Sequence, residues 1–381
     1  MKLTLLSTTA LISAGLAVLA GTSRALADQG VQLGIGGYYA SAAGLLLEQT
    51  DKDGSAGHNT RDVVFRQDVE VYFQGMTTLD NGVTVGAVIQ MEGQQSDDQI
   101  DEVYAYFRGG WGQVRFGSDD DATEQLGYLI PSASNIFGVD SPDFEFGNDH
   151  GNGFNNGNFQ TNDTLLDISG DATKIIYFSP TFGGFNFAVS YAPDRRGEDT
   201  YSYWSGPGGT TTSNNTGQVQ DVFAIALEFD QDFNGLGLAS GMGFAEGQWE
   251  NPMPHQSETT WGMNAHLDLS FSGFTVGGSM AFQNNYTTLG AGSDFLLYGI
   301  GATYNWDLWT VGLAWSHGNY EYATRTDDDD LDIIEFTGRY DLGPGISLDA
   351  MVGVNNLDTP SSSPRSDYTA WQAGMGFYIG F

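Results

Sequence analysis

The chain ends in a segment whose side chains alternate between two kinds, from Tyr368 to the terminal Phe381. One row is mainly apolar and contains Thr369, Trp371, Ala373, Met375, Phe377, Ile379 and Phe381. The other row is polar or small and contains Tyr368, Ala370, Gln372, Gly374, Gly376, Tyr378 and Gly380. Because successive side chains of a β-strand point to opposite faces, this pattern predicts a strand with two different faces. Such a strand lies either on the core of a soluble sandwich or between lipid and water, and the rest of the chain distinguishes the two.

The amino-terminal residues have the features of a secretory signal peptide. Lys2 precedes the apolar run of residues 11–21, and Ala25-Leu26-Ala27 forms a small-residue cleavage site. The alternative is an uncleaved membrane anchor, but the run is barely long enough to span a bilayer. No other segment approaches the roughly 18 apolar residues of a membrane-spanning helix. We therefore expect a signal peptide, residues 1–27, and one exported domain, residues 28–381.

The composition excludes some classes of partner and excludes disulfide bonds as a source of stability. Its 381 residues include 48 acidic and 13 basic side chains, for a formal net charge of −35, and no cysteine. Loss of Lys2 and Arg24 with the signal peptide takes this charge from −35 to −37. Such a charge argues against nucleic acid as a partner, and without cysteine no disulfide forms. The 53 glycines, together with 8 Trp, 18 Tyr and 24 Phe, fit many short strands joined by glycine turns.

Period-two alternation recurs along the mature chain in sixteen segments, separated by seven short turns and eight longer polar loops. Short connections on one side and long loops on the other are typical of outer-membrane barrels, whose strands need about 9 to 11 residues to cross. A soluble sandwich of this size would leave sheet edges to protect. The predicted fold class is therefore all-β, a 16-stranded antiparallel transmembrane β-barrel without a second domain.

Two motifs add a family resemblance to this pattern. The hairpin EVYAYFRGGWGQVRFG spans Glu102 to Gly117, and YFSPTFGGF spans Tyr177 to Phe185. Together with the signal peptide and the terminal Phe381, these motifs resemble the general bacterial porins, most closely the alphaproteobacterial trimeric porins. In that family a long third loop lies between two such motifs. Residues 119–170 occupy the matching place in this chain.

The resemblance implies a homotrimer in the cell outer membrane, surrounded by membrane lipids, with the third loop folded into the lumen of each barrel. It implies a passive, water-filled channel for small hydrophilic solutes and ions, with no cofactor and no catalysis. Phe381 corresponds to the residue that forms part of the signal read by the outer-membrane assembly machinery. The expected function is a general diffusion porin, and the negative charge of the chain adds an expectation of mild cation preference.

Strand parity places charged and aromatic side chains on the inner face of the predicted barrel. These candidate lumen residues are Arg66, Asp68, Glu70, Glu102, Tyr104, Tyr106, Arg108, Arg115 and, beside Glu335 in the fourteenth strand, Arg339. A charge on the lipid face costs about 2 to 4 kcal/mol, which supports the inward assignment. Two interpretations of the first three arginines stay open: a basic wall at the pore constriction, or pairing with Asp68, Glu70 or Glu102. The parity around Lys174 in the sixth strand is open as well.

The predicted third loop supplies the acidic counterpart of these arginines. It begins with Asp119-Asp120-Asp121, an acidic start suited to capping a short helix. If the loop folds inward as the resemblance implies, Asp140, Asp143 and Glu145 face the arginines across the opening and form the acidic side of the constriction. Opposed charges then create a transverse field, which favours small polar solutes over apolar ones.

Three further alternatives accompany this interpretation. The acidic run Asp327, Asp328, Asp329 and Asp330 is interpreted as solvated loop charge, with a Ca²⁺ site as the alternative. A solute-specific channel is the nearest rival function, since Tyr104 and Tyr106 form part of an incomplete aromatic ladder. A barrel enzyme is the remote rival. His266 and Asp268 share one row, but side chains spaced in this way lie about 7 Å apart, too far for direct contact between a nucleophile and its base.

Overall fold

The computed structural model describes residues 30–51, 62–93, 99–146, 162–195, 218–286, 292–323, 327–360 and 367–381. The predicted signal peptide and residues 147–161 of the third loop lie outside these ranges. The described residues form sixteen antiparallel strands in one closed barrel. These strands are β1 (Gln32–Asp51), β2 (Val63–Thr78), β3 (Thr84–Glu92), β4 (Ile100–Gly109), β5 (Gly112–Ser118), β6 (Thr173–Phe178), β7 (Phe185–Asp194), β8 (Val219–Asp232), β9 (Leu236–Trp249), β10 (Thr259–Phe271), β11 (Phe274–Tyr286), β12 (Ser293–Trp306), β13 (Trp309–Glu321), β14 (Asp329–Gly343), β15 (Ile346–Asp358) and β16 (Tyr368–Gly380). The predicted fold class is confirmed.

The barrel closes between its first and last strands. β16 pairs with β1 in an antiparallel register that joins Gly374 to Gly44. Just beyond β16, the backbone N–H of Phe381 donates to the Gly37 carbonyl, and the N–H of Gly37 donates to the Phe381 carbonyl, both at 3.0 Å. Closure leaves no strand without a neighbour. This satisfies the backbone hydrogen bonds, which a sheet must do in order to span a bilayer.

The two faces of the sheet have opposite chemistry, as the alternation predicts. On the outer face, Phe65, Met375 and Phe381 are 81%, 68% and 60% exposed. On the inner face of β16, Gln372 is 1% exposed. A continuous exposed apolar surface is the surface that membrane lipid covers in a transmembrane barrel. The last strand therefore turns its apolar row to lipid and its polar row to the interior.

The connections differ at the two ends of the barrel, again as predicted. Short turns lie at residues 79–83, 110–111, 179–184, 233–235, 272–273, 307–308 and 344–345. Ser272 and Gly273 both have positive φ, 49° and 86°, which is the two-residue type I′ turn that matches the twist of a hairpin. The other connections are longer and lie at the opposite end. We call the two ends the short-turn end and the loop end.

The third loop enters the barrel and packs against the inner wall. It begins with a single helical turn, α1 (Ala122–Gln125), whose N-cap Asp121 accepts a hydrogen bond from the Thr123 N–H at 2.8 Å. The short helix expected at the acidic start is therefore present. Farther on, Ile136 and Phe144 belong to a buried apolar cluster shared with inner side chains of the wall. Among the described residues, no helix is long and apolar enough to cross a membrane.

Hydrogen bonds hold the loop to the wall along its path. With donor–acceptor distances of 2.5 to 3.1 Å, they join Ala122 N to Ser190 Oγ of β7, Asn264 Nδ2 of β10 to Thr123 O, Ser279 Oγ of β11 to Tyr128 O, Ser316 Oγ of β13 to Val139 O, Ala133 N to Thr337 Oγ1 of β14, Asn135 N to Asp349 Oδ1 of β15, and Phe146 N to Gln372 Oε1 of β16. The loop thus follows the wall from β7 round to β16. These hydrogen bonds do not reach the inner rows of β2, β3 and β4.

Candidate functional site

The inner rows of β2 and β4 form the part of the wall on which the predicted lumen residues lie. Arg66 and Arg108 are exposed, and Asp68, Glu70 and Tyr72 are half-buried. Inner side chains have this degree of exposure when the space beside them is open to solvent. A charged inner wall next to an inward loop is the arrangement through which a channel sorts solutes, because the lining charges set the local field.

Asp143 of the loop is within electrostatic range of Asp68 and Glu70 of β2, and we call these three residues the acidic patch. The Tyr38 hydroxyl donates to Asp68 Oδ2 at 2.7 Å, and the Tyr72 hydroxyl donates to Glu70. Burial and then the negative charges of Asp68 and Glu70 raise the pKa of Asp143 to about 8. The charges with the largest effect on Asp143 are therefore carboxylates. The expected opposition of Asp143 and an arginine differs from what the structure shows.

Asp140 lies inside the loop, not on the lumen side expected from the sequence. It is 4% exposed and accepts hydrogen bonds from Ile130 N at 2.9 Å, Thr164 N at 2.7 Å and Thr164 Oγ1 at 2.5 Å. Burial raises the pKa of Asp140 to about 6, against the lowering effect of these hydrogen bonds. The donors Ile130 and Thr164 lie before and after Asp140 in the loop. Asp140 therefore connects these two parts of the loop and does not face an arginine.

Glu145 also differs from its predicted position. It is 5% exposed and accepts hydrogen bonds from Gln372 Nε2 at 2.8 Å and from Asn355 Nδ2. Both partners lie on the inner face of the wall, on β16 and β15. Glu145 therefore attaches the loop to the wall and does not form the acidic side of an opening opposite the arginines.

Arg115 lies at the base of the loop. Its Nη1 donates to Asp119 Oδ2 at 2.9 Å and to Gln125 Oε1 at 3.1 Å. Its guanidinium carbon lies 4.8 Å from the ring centre of Tyr104 and 4.7 Å from that of Phe178, within the range of a cation–π contact. Of the two interpretations, pairing with a carboxylate describes Arg115, although the partner is Asp119 and not a wall residue. Arg115 fixes the beginning of the loop to β4 and β6.

Arg66 and Arg108 lie near opposite ends of the barrel. The register joins Arg108 to Thr84, and Thr84 in turn to Thr78 at the short-turn end of β2. Arg66 is twelve residues before Thr78, so about 40 Å of strand separates the two levels. The Arg108 guanidinium carbon lies 5.9 Å from the ring centre of Tyr106. Parity placed these arginines on the correct face. Arg108 lies diagonally across β4 and β5 from Arg115, since the register joins Arg108 to Gln113, whereas Arg66 is far from both.

The remaining basic candidates have partners on the wall or loop. Arg339 donates from Nη1 to Asn135 Oδ1 at 3.0 Å, and its Nε lies 3.0 Å from Asp341 Oδ1, so neither contact involves the neighbouring Glu335. Lys174 is 1% exposed, which settles the parity of β6 in favour of an inward Lys174. Its ammonium group donates to backbone carbonyls of the loop base, including Gly170 O at 2.5 Å.

The other predicted lining residues are buried on the inner row of β4. Glu102 is 7% exposed, and its carboxylate lies close to those of Asp119 and Asp120. Tyr104 is 6% exposed and packs against Arg115, as described above. The Tyr106 hydroxyl accepts a hydrogen bond from Gln74 Nε2 at 2.7 Å. Parity predicted their face correctly, whereas their contacts with the loop base depend on the path of the loop.

Groups of carboxylates with metal-ligand spacing occur among the described residues, but in places other than the predicted one. They are Glu70, Glu92 and Asp101; Glu102, Asp119 and Asp120; and Asp120, Asp167 and Asp171. In the acidic run, Asp329 accepts from the Tyr322 hydroxyl at 2.9 Å and Asp330 accepts from Asn319 Nδ2 at 2.9 Å. The Ca²⁺ assignment to this run stays a prediction.

The pair His266 and Asp268 lies on the inner row of β10, as parity predicts. The His266 ring packs against Tyr128 of the loop, with 4.1 Å between the ring centres and 31° between the ring planes. In the described part of the chain, neither His266 Nε2 nor Asp268 Oδ1 has a hydrogen-bond partner. His266 thus lies beneath the loop and makes no hydrogen bond to a hydroxyl nucleophile within that part of the chain.

Sequence reasoning missed the residues that hold the loop. Each of Thr337, Asp349 and Gln372 accepts a hydrogen bond from a backbone N–H of the loop. In the sequence they are only polar members of an inner row. A signal was available in part, since polar residues recur on the inner rows of the last strands. That signal does not distinguish a side chain facing water from one that binds a loop.

The comparisons with known proteins agree with this architecture. The family model described as Gram-negative porin matches residues 9–360. No curated protein matches the chain. Three similar solved structures are a porin refined at 1.8 Å (18% identity, 92% of this chain and 100% of that chain, TM-score 0.57), OmpT of Vibrio cholerae in its trimer form (10%, 93% and 100%, 0.60) and the outer-membrane channel DcaP of Acinetobacter baumannii (13%, 95% and 100%, 0.61).

At these low sequence identities, the solved structures show only that the fold is shared. Membership of a family is shown by the family model. It covers nearly the whole chain, including every strand from β1 to β15. Fold and family point to a channel, not to an enzyme. The chain belongs to the Gram-negative porin family and forms an outer-membrane β-barrel channel.

Proposed function

We propose that this protein is a general diffusion porin that conducts small hydrophilic solutes and ions and prefers cations. The observation that carries the proposal is the acidic patch, in which Asp143 of the loop is within electrostatic range of Asp68 and Glu70 of β2. This patch replaces the opposed acidic and basic walls expected from the sequence. Ionised carboxylates that line a lumen attract cations and repel anions.

The distribution of basic residues supports the same preference. Arg115 pairs with Asp119 and Arg339 with Asp341, so each positive charge is balanced by a neighbouring carboxylate. Arg66 and Arg108 lie far from each other along the lumen. The formal charge of −35 also makes the loops and mouths negative, which raises the local cation concentration.

The proposed assembly is a homotrimer. One structural neighbour, OmpT of Vibrio cholerae, is described as a trimer form. The outer face of this barrel carries exposed large apolar side chains on β1 and β2, including Leu33 at 85% and Phe65 at 81%. Such surfaces suit either lipid or a neighbouring subunit. Cross-linking and analytical ultracentrifugation of the purified protein in detergent would test this assignment.

A solute-specific channel is the second candidate, and one observation favours it. The Tyr38 and Tyr378 rings are stacked with 5.6 Å between their centres, and the Tyr38 hydroxyl donates to Asp68 of the acidic patch. Aromatic faces beside carboxylates are groups that bind hydroxylated or cationic solutes. A general porin would show conductance proportional to salt concentration, whereas a specific channel would show saturable block by its solute.

The experiment is planar-bilayer recording of the purified protein in a salt gradient, followed by a size series of uncharged solutes. We expect a reversal potential of the sign that indicates cation preference. The variant Glu70→Gln should lower this preference, and Asp143→Asn should lower it at a pH above about 8, where Asp143 is ionised. The matched control is Asp80→Asn, which removes an exposed carboxylate at a short turn and should leave the preference unchanged. Anion preference of the unmodified protein would refute the proposed selectivity.

A further inference from the structure

The loop residue Tyr128 joins two distant strands of the wall. Its hydroxyl donates to Glu228 of β8, and its carbonyl accepts from Ser279 Oγ of β11 at 2.5 Å. Between these contacts, the Tyr128 ring packs against His266 of β10, with 4.1 Å between the ring centres. Tyr128 therefore lies across the inner side chains of β8 to β11 and covers His266.

Carboxyl groups surround the Tyr128 hydroxyl. Burial and then the negative charge of Glu228 raise the pKa of Tyr128 above its usual value, and Asp230 and Asp268 act in the same direction. Glu228 and Asp230 belong to one inner row of β8, because they are two residues apart in the strand. We call Tyr128, Glu228, Asp230 and His266 the Tyr128 site.

His266 has a buried polar atom without a partner in the described part of the chain. The residue is 7% exposed, and its Nε2 makes no hydrogen bond there. Buried polar groups of folded proteins nearly always bond to other protein groups, to water or to a ligand. His266 Nε2 therefore indicates a polar group that binds beside it.

The free nitrogen of His266 is directed toward Glu228. The register places Gly241 of β9 between His266 and Glu228. A Cβ at Gly241 would lie 2.4 Å from His266 Cε1 and 3.1 Å from His266 Nε2, so the Nε2 edge of the ring extends over the glycine. Asp268 has the opposite direction, since a Cβ at Gly277 of β11 would lie 1.6 Å from its Oδ1. Asp268 is therefore not part of the Tyr128 site.

The Tyr128 site opens to the lumen on the side of the short turns. Glu228 is half-buried and Asp230 is exposed. β8 ends at Asp232, at the short-turn end, so Asp230 is only two residues from this end. The two carboxylates therefore form an entrance on that side, and the buried ring of His266 lies behind it.

Neither the loop nor the strands around the Tyr128 site contribute a lysine or an arginine. Residues 119–170 and 197–324, which include the third loop and β8 to β13, contain neither. Arg108 of β4 lies four strands away from β8, about 19 Å along the wall. Arg115 pairs with Asp119. The entrance carboxylates therefore attract a positively charged group from the lumen.

The gap between His266 and Glu228 suits an ammonium group. These residues lie two strands apart, so their Cα atoms are about 10 Å apart. Glu228 is not a hydrogen-bond partner of His266 Nε2, so the two groups are too far apart to bond directly. An ammonium group has three N–H donors and can bond to both. Carboxyl groups with the spacing of metal ligands occur elsewhere among the described residues, not in the Tyr128 site.

We propose that the Tyr128 site binds an organic cation through a primary ammonium group, which donates to Glu228, to His266 Nε2 and, at the entrance, to Asp230. Hydrogen bonds from ammonium to carboxylate are charge-assisted and roughly twice as strong as those between neutral groups. The rest of the cation lies toward the lumen, on the short-turn side. The site gives the proposed cation preference a specific place of binding, and its electrical effect rests on that proposed function.

The first test measures binding and needs no channel activity. The purified protein in detergent is titrated calorimetrically with n-propylammonium, with tetramethylammonium, which has the charge but no N–H donor, and with 1-propanol, which has no charge. We expect saturable binding of n-propylammonium at one site per barrel and much weaker binding of the other two. Binding of tetramethylammonium or 1-propanol with equal affinity would overturn the assignment to a primary ammonium group.

The second test assigns the binding to the Tyr128 site. Glu228→Gln, Asp230→Asn and His266→Phe should each weaken the binding of n-propylammonium about tenfold or more, because each removes a hydrogen-bond partner of the ammonium group. Asp230 is exposed, so Asp230→Asn serves if the other variants do not fold. The matched control is Glu246→Gln, which removes an exposed carboxylate from the outer row of β9. Equal affinity in all four variants would overturn the site.

A metal ion is the other occupant that the same titrations detect. Ni²⁺ is used as the probe. Binding of Ni²⁺ without binding of n-propylammonium, lost in both Glu228→Gln and His266→Phe, would identify a metal site and overturn the proposal. Retained binding of n-propylammonium in the presence of Ni²⁺ would support it.

The electrical test adds n-propylammonium to single channels from either side. We expect a reduction of conductance that is larger from the short-turn side and is weakened in Glu228→Gln. This test separates the two proposals. Anion preference of the pore with unchanged binding in the calorimeter would refute the proposed selectivity alone. Cation preference without binding of n-propylammonium would refute the Tyr128 site alone.

Discussion

Alanine at Gly44 or Gly374 should detach the loop from the wall, because both glycines face the same aromatic ring. They are paired with each other across β1 and β16. A Cβ at Gly44 would lie 2.2 Å from Phe146 Cδ1 and 2.3 Å from its Cγ. A Cβ at Gly374 would lie 2.6 Å from Phe146 Cε2 and 3.0 Å from Phe137 Cζ. Neither glycine has a positive φ, so the strain arises from packing and not from the backbone.

The magnitude follows from these distances. Non-bonded carbon atoms are most stable about 3.5 to 4.0 Å apart, so the Phe146 ring has to move by more than about 1 Å from a methyl group at Gly44. Overpacking of this kind costs about 1 to 3 kcal/mol. If the loop absorbs the strain, the equilibrium between attached and detached loop shifts by about 5- to 150-fold. The effect at Gly374 involves two rings and should be similar in size.

The assay combines single-channel recording with limited proteolysis of the folded protein. We expect Gly44→Ala and Gly374→Ala to show larger conductance fluctuations and faster cleavage in the loop than the unmodified barrel. Gly338→Ala is the matched control, because a Cβ there meets nothing within 4 Å on β14. The control also measures the intrinsic effect of alanine in a strand, which is about 0.5 to 1 kcal/mol in favour of folding. Equal behaviour of all three variants would refute the packing argument.

Three further predictions concern single residues. Raising the pH through about 8 should ionise Asp143 and increase cation preference, as read from reversal potentials, and Asp143→Asn should remove this rise. Arg115→Ala leaves the buried Asp119 without its ion pair and should lower the free energy of unfolding by about 3 to 5 kcal/mol in denaturant titrations; a loss below 1 kcal/mol would contradict the role of Arg115 at the loop base. Phe381→Ala should refold in detergent almost as well as the unmodified protein, because the side chain is 60% exposed and its backbone bonds to Gly37 remain. The amount of Phe381→Ala in the outer membrane should nevertheless fall, and equal amounts would argue against a role in assembly.

Arg115 shows how far strand parity predicts a site. The pattern of β5 places Arg115 on the inner face, and the structure agrees. Parity cannot name the partner, because the partner Asp119 and the rings of Tyr104 and Phe178 come from other segments. Parity likewise places Arg66 and Arg108 on the inner face, but it does not show that they lie near opposite ends of the barrel. The face of a side chain is a local property, while its neighbours depend on register and tilt.

Asp140 and Glu145 show the limit of reasoning from a loop sequence. The loop has no period from which a direction could be read, and the expected lumen position of both residues depends on the family resemblance alone. Their actual positions depend on the donors they meet, Thr164 and Ile130 for Asp140, and Gln372 for Glu145. A buried carboxylate is stable only where hydrogen-bond donors surround it, and these donors come from distant parts of the chain.

The sequence by itself determined the barrel. The alternation of the last strand, from Thr369 to Phe381, predicted a sheet between lipid and water. Sixteen such strands with unequal connections predicted closure against β1. This succeeded because a strand repeats every two residues and each of the two solvents selects one row of side chains.

Only the tertiary structure decided how the lumen is lined. The path of the third loop brings Asp143 to Asp68 and Glu70, and buries Glu145 beside Glu335. These pairs join residues far apart in the chain, and no local pattern encodes them. Closure of the barrel and packing of the loop against its wall determine which charges face water and which are enclosed.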